Sequence, residues 1–388
     1  MSVQHVYIVG SKGAGNYGGF ETFVDKLTEY HQDNENIQYH IAWKGTEFKE
    51  FEHNGAHSFQ IKVPNIGPAQ AIYYDVMALN YCIKHIKEND IKNPIVYVLA
   101  CRIGPFARHY QRIIHKLGGK LYVNPDGHEW MRAKWSAPVR KYWKLSEKLM
   151  VKHADLLICD SKNIEKYIIS EYQSFNPKTK FIAYGADLSK SNLADDSQEV
   201  MDWYNKFSIV PFEYYLIVGR FVPENSFDIM ISEFLKSNTS KDLVIITTEN
   251  KKMMKDLQAR TNYKSDKRIK FVGTVYNQEL LRKIRENAFG YLHGHTVGGT
   301  NPSLIEALSS TKLNMLIDVG FNREVAENTA LYWKIESGSL SDLINNVEKM
   351  KAKQIDQLGK LSTQRIESSY NWIDICNKYE LVWYTARK

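Results

Sequence analysis

Cysteine is scarce in this chain of 388 residues, and its four cysteines are far apart. They are Cys82, Cys101, Cys159 and Cys376. A secreted disulfide framework needs more cysteines in a shorter chain, so we expect buried free thiols in a reducing cytoplasm. No closely spaced group of cysteine and histidine has the pattern of a zinc site, and we expect no metal cofactor.

Long apolar runs are also missing, since no stretch approaches the roughly 18 to 20 apolar residues of a transmembrane helix. The first residues, Met1–His5, lead directly into a predicted strand and lack the basic start and cleavage site of a signal peptide. We therefore expect a cytoplasmic location. The apolar fraction of 43% still allows sizeable cores.

Acidic residues are scarce in the segment 130–153, although the whole chain carries a net charge of only +7. This segment contains seven basic residues, three tryptophans and a single acid, Glu147. Basic residues attract anionic surfaces and tryptophan favours the membrane–water boundary, so the segment predicts peripheral membrane contact. The alternative is a solvated basic helix face. We do not expect nucleic acid binding, because no nucleic-acid module accompanies the patch.

Short apolar strands alternate with helical segments through most of the chain, which predicts α/β domains with parallel sheets. Strand patterns open each half, at His5–Val9 and Tyr215–Val218, and the polar stretch 189–198 between the halves indicates a linker. We predict two doubly wound Rossmann-like domains that face each other across a cleft. The predicted bounds are 1–188 for the first domain, 189–369 for the second and 370–388 for a C-terminal helix that completes the first.

A glycine-rich loop follows the first predicted strand, with five glycines between positions 10 and 19. The order Gly13-x-Gly15-x-x-Gly18 matches the spacing of a dinucleotide-binding loop, but no acidic residue ends a second strand about 20 residues later. A flexible loop that lines a ligand site is the better interpretation. Glu21, which follows Gly18 and Gly19, is predicted either to bind a hydroxyl or to favour the helix N-terminus.

Two segments of the second half have the features of a phosphate site. Arg220 follows a predicted strand, and its guanidinium matches phosphate geometry at the strand end where ligands bind. A glycine pair precedes a helix that begins at Pro302, and helix N-termini attract anions. Glu306 lies near this helix start, where its carboxylate could accept hydrogen bonds from a sugar. A surface salt bridge for Arg220 and a purely structural strand–helix junction are the alternatives.

A third polar cluster, Asn124–Trp130, follows a predicted strand and contains Asp126 and His128. Carboxylate and imidazole groups suit proton transfer or hydroxyl recognition, whereas a turn-forming role is the alternative for Asp126. Asp160 follows another strand, and either it or Ser161 could cap the next helix.

Four motifs together resemble the GT-B glycosyltransferases of the large retaining family numbered four, over nearly the whole chain. They are Gly18-Gly19-Phe20-Glu21, Gly219-Arg220-Phe221-Val222-Pro223-Glu224, Asn301-Pro302-Ser303-Leu304-Ile305-Glu306-Ala307 and the helix Trp372–Trp383. The resemblance implies that a sugar is transferred from a nucleotide donor with retention. No paired aspartates follow a strand in metal-binding fashion, so we predict transfer without a metal ion.

More narrowly, the chain resembles bacterial β-1,4-rhamnosyltransferases of streptococcal capsule and cell-wall polysaccharide synthesis. The motifs are Tyr17-Gly18-Gly19-Phe20-Glu21, Asn124-Pro125-Asp126-Gly127 and Val297–Leu304. This resemblance implies a dTDP-β-L-rhamnose donor and an undecaprenyl-diphosphate-linked sugar acceptor at the inner face of the cell membrane. Two residues depart from the wider family: Asn225 replaces a common lysine, and Gly298 replaces the first of two glutamates.

Together with the resemblance, the residues receive predicted roles. Catalytic roles are predicted for Asp126, His128, Arg220 and Glu306. Donor binding is predicted for Gly18, Gly19, Arg220, Glu224, Asn225, Gly299, Thr300, Asn301, Pro302, Ser303, Leu304 and Glu306. Acceptor binding is predicted for Tyr17, Phe20, Glu21, Asp126, His128 and Asp160. The alternatives are a glycosyltransferase for another nucleotide sugar such as a UDP-sugar, a nucleotide-sugar 2-epimerase, and a sugar- or membrane-binding protein without activity.

Overall fold

The computed structural model describes residues 3–13, 18–132 and 135–386. The chain divides into two compact units: unit 1 comprises Met1–Gly185 and Trp372–Lys388, and unit 2 comprises Ala186–Asn371. A helix that crosses a membrane needs about 20 mostly apolar residues. None of the helices in the described part of the chain meets that requirement.

Unit 1 is built on an eight-stranded sheet of the described residues. The strands are β1 (Gln4–Val9), β2 (Ile37–Gly45), β3 (Lys49–His53), β4 (Ala56–Lys62), β5 (Ile95–Leu99), β6 (Lys120–Asn124), β7 (Leu156–Cys159) and β8 (Thr179–Phe181). Their order is β3-β4-β2-β1-β5-β6-β7-β8, and every neighbouring pair is parallel except β3 with β4. The central strand β5 is buried along its whole length, as its Ile-Val-Tyr-Val-Leu sequence requires.

The helices of unit 1 connect these strands, and one of them comes from the C-terminus. They are α1 (Gly19–His31), α2 (Gln70–Glu88), α3 (Gly104–Lys116), α4 (Ala137–His153), α5 (Lys162–Glu171) and α14 (Trp372–Thr385). The Nε1 atom of Trp383 in α14 donates to the Tyr39 hydroxyl at 2.9 Å, and the hydroxyls of Tyr379 and Tyr97 lie 3.3 Å apart. Tyr379 and Trp383 of α14 are therefore core residues of unit 1.

Unit 2 contains a six-stranded sheet in which all neighbouring strands are parallel. Its strands are β9 (Tyr214–Val218), β10 (Asp242–Ile246), β11 (Ile269–Gly273), β12 (Gly290–His293), β13 (Asn314–Ile317) and β14 (Leu331–Trp333). Its helices are α6 (Gln198–Phe207), α7 (Phe227–Lys236), α8 (Lys251–Thr261), α9 (Gln278–Glu286), α10 (Pro302–Ser310), α11 (Gly320–Ala326), α12 (Ser339–Val347) and α13 (Ala352–Ser369). The strand order is β11-β10-β9-β12-β13-β14.

The sheet of unit 2 is covered on both faces, as the side chains of β9 show. Tyr215 and Ile217 belong to one buried apolar cluster, whereas Tyr214 and Leu216 belong to another. Because successive side chains of a strand point to opposite faces, the two clusters lie on opposite sides of the sheet. This arrangement is the doubly wound architecture that the alternating sequence pattern predicts.

Two strands of the described residues do not have the apolar pattern that predicts a strand. They are β3, whose Lys-Glu-Phe-Glu-His sequence is charged and mostly exposed at a sheet edge, and β14, which is only three residues long. The four cysteines are all free and buried, as expected.

Candidate functional site

In unit 2, β9 and β12 flank the point where the sheet topology changes direction. From β9 the chain continues to β10 and β11 on one side, and it returns to β12 on the other. In open parallel sheets, ligands bind at the carboxyl ends of the strands that flank such a point. Both segments predicted to bind phosphate begin there, because Arg220 follows β9 and the segment 294–301 follows β12.

The loop after β9 is held in place by Asn225. Its Nδ2 atom donates to the carbonyl of Arg220 at 2.7 Å, and its Oδ1 atom lies 2.7 Å from Nδ1 of His295. Asn225 therefore joins the loops that follow β9 and β12, and it supplies no charge where the wider family often has a lysine. The guanidinium of Arg220 is exposed at this edge of the sheet.

Glu224 is buried, and its main chain also fixes the second loop. Both the amide and the hydroxyl of Thr296 donate to the Glu224 carbonyl, at 2.9 and 3.0 Å. The two segments are thus bonded to each other at three places. Sequence reasoning proposed Glu224 and Asn225 as donor contacts, and it missed that they connect the loops.

Helix α10 begins with an ordinary asparagine cap. The Oδ1 atom of Asn301 accepts the amide of Ser303 at 2.9 Å, and the Asn301 carbonyl accepts the amides of Leu304 and Ile305. Pro302 has no amide hydrogen. Since the amides of Ser303, Leu304 and Ile305 are occupied, main-chain donors for an anion are left to the segment before the cap, which contains the glycine pair Gly298-Gly299.

The start of α10 is tied to the end of β9. The Ser303 hydroxyl donates to the Val218 carbonyl at 3.0 Å, and the Tyr291 hydroxyl donates to the same carbonyl at 3.2 Å. Leu304 and Thr300 are buried, whereas Gly299 and Pro302 are half-buried. The Leu304 side chain is part of the core, and its amide donates to the Asn301 carbonyl.

Glu306 lies in the second turn of α10 and forms an ion pair with Arg285. The Glu306 Oε2 and Arg285 Nη2 atoms are 2.6 Å apart, and the side chains are 23% and 4% exposed. An almost buried guanidinium needs such a counter-charge. Glu306 is therefore positioned by Arg285, a residue that the sequence analysis did not single out.

In unit 1, the glycine-rich loop begins at a position that only glycine can occupy. Gly10 has φ of +126°, and a Cβ atom there would lie 2.5 Å from the Leu99 carbonyl oxygen. The Gly10 carbonyl accepts a hydrogen bond from Arg102 at 3.2 Å, and Arg102 also pairs with the buried Asp75. Burial raises the pKa of Asp75 to about 6, although Arg102 opposes that rise.

Glu21 closes this loop onto α1. Its Oε1 atom accepts the amide of Lys12 at 2.7 Å, and the residue is buried in the first turn of the helix. Gly18 and Gly19 begin the helix, and Phe20 is half-buried. The contact with Lys12 is neither of the two roles predicted for Glu21, and both stay predictions. Tyr17 lies outside the described residues.

The turn after β6 has an unusual backbone. Asp126, Gly127 and His128 have φ values of +57°, +69° and +55°. The Asn124 side chain accepts the amide of Asp126 at 2.8 Å, and a Cβ atom on Gly127 would lie 2.2 Å from the Ile164 side chain. Left-handed backbone at non-glycine residues is rare and concentrates at functional sites.

His128 packs against a buried polar network. Its ring centroid lies 4.2 Å from that of Tyr167, whose hydroxyl donates to Glu147 at 2.5 Å. Tyr172 donates to the same carboxylate, and the Lys144 Nζ atom lies 3.6 Å from it. Burial lowers the pKa of His128 below its usual value.

Asp160 and Ser161 both follow β7, but only Ser161 caps the next helix. The Ser161 hydroxyl accepts the amide of Asn163 at 3.1 Å and caps α5, so Ser161 is the capping residue. Asp160 is buried, with an exposed fraction of 3%. Its role in an acceptor site stays a prediction.

The tryptophans of the basic segment 130–153 are buried or half-buried. Trp143 is only 6% exposed, Trp130 and Trp135 are half-buried, and the Lys144 Nζ atom lies 4.6 Å from the Trp130 ring centroid. The exposed basic residues are Arg140, Lys141, Lys148 and Lys152, whereas Lys134 lies outside the described residues.

Comparisons with known proteins place this geometry in a fold class. Residues 3–187 match the model of a domain of unknown function, DUF1972. No curated protein matches the chain. Solved structures match it over almost its full length, at low sequence identity.

Three such structures have the same fold. Sucrose-phosphate synthase from Thermosynechococcus elongatus has a TM-score of 0.76 at 15% identity, with 98% of each chain covered. HepE from Anabaena in complex with UDP has a TM-score of 0.71 at 12% identity, with 99% of this chain and 100% of that chain covered. Trehalose 6-phosphate synthase from Burkholderia multivorans has a TM-score of 0.76 at 9% identity, with 100% and 97% covered. The predicted GT-B fold class is thereby confirmed.

Proposed function

We propose that this protein is a glycosyltransferase that takes a sugar from a nucleotide-sugar donor. One observation carries the proposal: the exposed Arg220 and the glycine loop before α10 follow the adjacent strands β9 and β12, at the topological switch point of unit 2. The HepE structures with UDP and with UDP-glucose support a donor of this class.

Arg220 and the main chain of Gly298-Gly299 would bind the diphosphate of the donor. Negative charge develops on this leaving group as the bond to the sugar breaks, and fixed donors in a preorganised site stabilise it. Glu306, held by Arg285 at 2.6 Å, would accept a hydrogen bond from a hydroxyl of the nucleoside sugar.

We assign the acceptor and the reacting sugar to residues of unit 1. The rigid turn at Asp126–His128 presents a carboxylate and an imidazole whose lowered pKa keeps it neutral at physiological pH. These groups would orient the acceptor hydroxyl. The leaving phosphate would take its proton as the new bond forms on the same face of the sugar, so the configuration is retained without a metal ion.

We further propose that the donor is dTDP-β-L-rhamnose and the acceptor a lipid-diphosphate-linked sugar. The motifs that resemble rhamnosyltransferases support this choice. Gly298, at the place of a family glutamate, removes one carboxylate from the donor side. That loss suits a 6-deoxy sugar, which has fewer hydroxyls to bind.

A donor screen tests the proposal. The wild type is incubated in EDTA with dTDP-, UDP- and GDP-sugars and a synthetic lipid-diphosphate acceptor, and the product linkage is determined by NMR. We expect transfer, and Arg220→Ala should lower kcat/KM about 100- to 1,000-fold. Arg260→Ala is the matched control, because Arg260 is an exposed arginine of unit 2 paired with Asp228 on its surface.

The outcomes separate the alternatives. A new nucleotide sugar formed without acceptor would identify an epimerase. If calorimetry detects no nucleotide binding, the protein is a sugar- or membrane-binding protein without transferase activity. Equal rates for the Arg220 variant and the wild type would remove Arg220 from the mechanism.

We also propose peripheral membrane contact through the exposed basic residues of α4. Arg140, Lys141 and Lys148 are exposed beside Leu145, which is 50% exposed. Cosedimentation with vesicles of anionic lipid should decrease when Lys141 and Lys148 are both changed to glutamine, and it should weaken with salt. Equal sedimentation of both proteins would contradict this contact.

A further inference from the structure

Four histidines from four separate elements meet in unit 1, away from the glycine loop and the Asp126 turn. They are His5 of β1, His40 of β2, His57 of β4 and His85 of α2. Three of them, His40, His57 and His85, each offer one nitrogen atom, and these nitrogens all lie within 4.8 Å of one another.

The pairing of the strands explains the cluster. His40 is the register partner of His57 on β4, and it is also the partner of Tyr7 on β1. His5 and His57 are each the second residue of their strands. The cluster is therefore near the amino ends of the strands, whereas Gly10 and Asp126 follow their carboxyl ends.

The spacing of the nitrogens is close to that of a tetrahedral metal site. The Nδ1 atoms of His40 and His57 are 3.1 Å apart. Zinc–nitrogen bonds of about 2.0–2.1 Å at tetrahedral angles put ligand nitrogens about 3.3 Å from each other. The nitrogen of His85 lies within 4.8 Å of the other two, so it needs a shift of at most roughly 1.5 Å to reach such a position, which a half-buried ring in the last turn of a helix can make.

Each of the three rings has a partner on its other nitrogen. The Nε2 atom of His40 lies 2.9 Å from His5, and the Nε2 atom of His57 lies 3.4 Å from a carboxylate oxygen of Glu50. The Nδ1 atom of His85 lies 2.8 Å from the Tyr7 hydroxyl. Metal-binding histidines use such outer contacts to fix their ring orientation and tautomer.

A cavity of about 600 Å³ lies beside the cluster and gives an ion access to it. His5, His40 and His85 are among the residues that line this cavity.

We propose that His40, His57 and His85 bind a zinc ion through Nδ1, Nδ1 and Nε2, with a fourth position open to the cavity. His5, Glu50 and Tyr7 orient the three ligands from outside. The ion would connect β2, β4 and α2, so its main effect is on the stability of unit 1. This site is separate from the proposed transfer chemistry, which needs no metal.

The test uses the full chain without an affinity tag, stripped with EDTA and dialysed. Co²⁺ is titrated while the visible d–d bands of four-coordinate cobalt are recorded, and Zn²⁺ is then added as a competitor. We expect one ion per chain, and saturating Zn²⁺ should raise the melting temperature by about 5 °C.

Variants identify the ligands. His57→Asn and His85→Asn should weaken metal binding at least about 100-fold, and Glu50→Gln, which keeps all three ligands, should weaken it about 10- to 100-fold. His109→Asn is the matched control, because His109 is an exposed histidine of the same unit outside the cluster. Circular dichroism in EDTA checks that each variant is folded.

Two results would overturn the proposal. One is a wild type that holds no Zn²⁺ or Co²⁺ after reconstitution, and the other is unchanged binding in the His57 and His85 variants. The cluster would then be a chain of neutral histidines that share hydrogen bonds. Donor binding, measured separately by calorimetry, reports on the proposed glycosyltransferase activity independently of this result.

Discussion

His293 makes the stability of unit 2 depend on pH in a predictable direction. It ends β12 at the topological switch point and is only 5% exposed. Its Nδ1 atom lies 3.4 Å from the Tyr291 hydroxyl, and no hydrogen-bond partner of its Nε2 atom is present in the described part of the chain. Burial, with a smaller contribution from His295, lowers the pKa of His293 to about 3.

The sign and size of the effect follow from proton linkage. Below pH 6.5 the unfolded chain binds a proton at His293, whereas the folded chain does not until about pH 3. Stability is therefore full above pH 6.5 and falls as the pH decreases. At pH 5 the free energy of unfolding is about 2 kcal/mol lower than it is above pH 6.5, because each pH unit in this window corresponds to about 1.36 kcal/mol.

Hydrogen exchange of β9 and β12 peptides at pH 7.5 and 5.0 measures this loss within unit 2, after correction for the intrinsic exchange rate. The free energy of opening measured in this way should be lower at pH 5.0 than at pH 7.5. His293→Gln should reduce this difference in free energy by about 2 kcal/mol, whatever its effect on stability at pH 7.5. The exposed His109→Gln should leave it unchanged. An unchanged difference in the His293 variant, within about 0.5 kcal/mol, would refute the reasoning.

Three further substitutions test the packing around the site and in unit 1. Asn301→Ala removes the cap that accepts the amide of Ser303, and it should lower the free energy of unfolding in urea by about 1 kcal/mol. Glu306→Gln removes the charge opposite Arg285, a side chain that is only 4% exposed. It should lower the free energy of unfolding in urea by about 2 kcal/mol, and an unchanged value would show that the ion pair is not formed. Gly104→Ala puts a Cβ atom 2.3 Å from the main-chain oxygen where α3 crosses α4, so the melting temperature should fall by several degrees, corresponding to about 2 kcal/mol or more.

The sequence by itself predicted most of the strands, helices and strand-end loops. Apolar runs of four or five residues, such as residues 6–9 and Tyr214–Val218, form a local pattern that does not depend on distant parts of the chain. The same pattern predicts that Arg220 and the start of α10 follow strands. It fails at β3 and β14, because a charged edge strand and a strand of three residues carry too little apolar periodicity.

Only the tertiary structure decided which side chains touch. Strand register brings His40 beside His57, and helix packing brings Arg285 to Glu306, although no spacing in the sequence connects these residues. Asn225 likewise joins two loops that are 70 positions apart at His295. Local periodicity fixes the elements because it reflects one residue's neighbours along the chain, whereas these contacts depend on strand order and register, which the whole core determines.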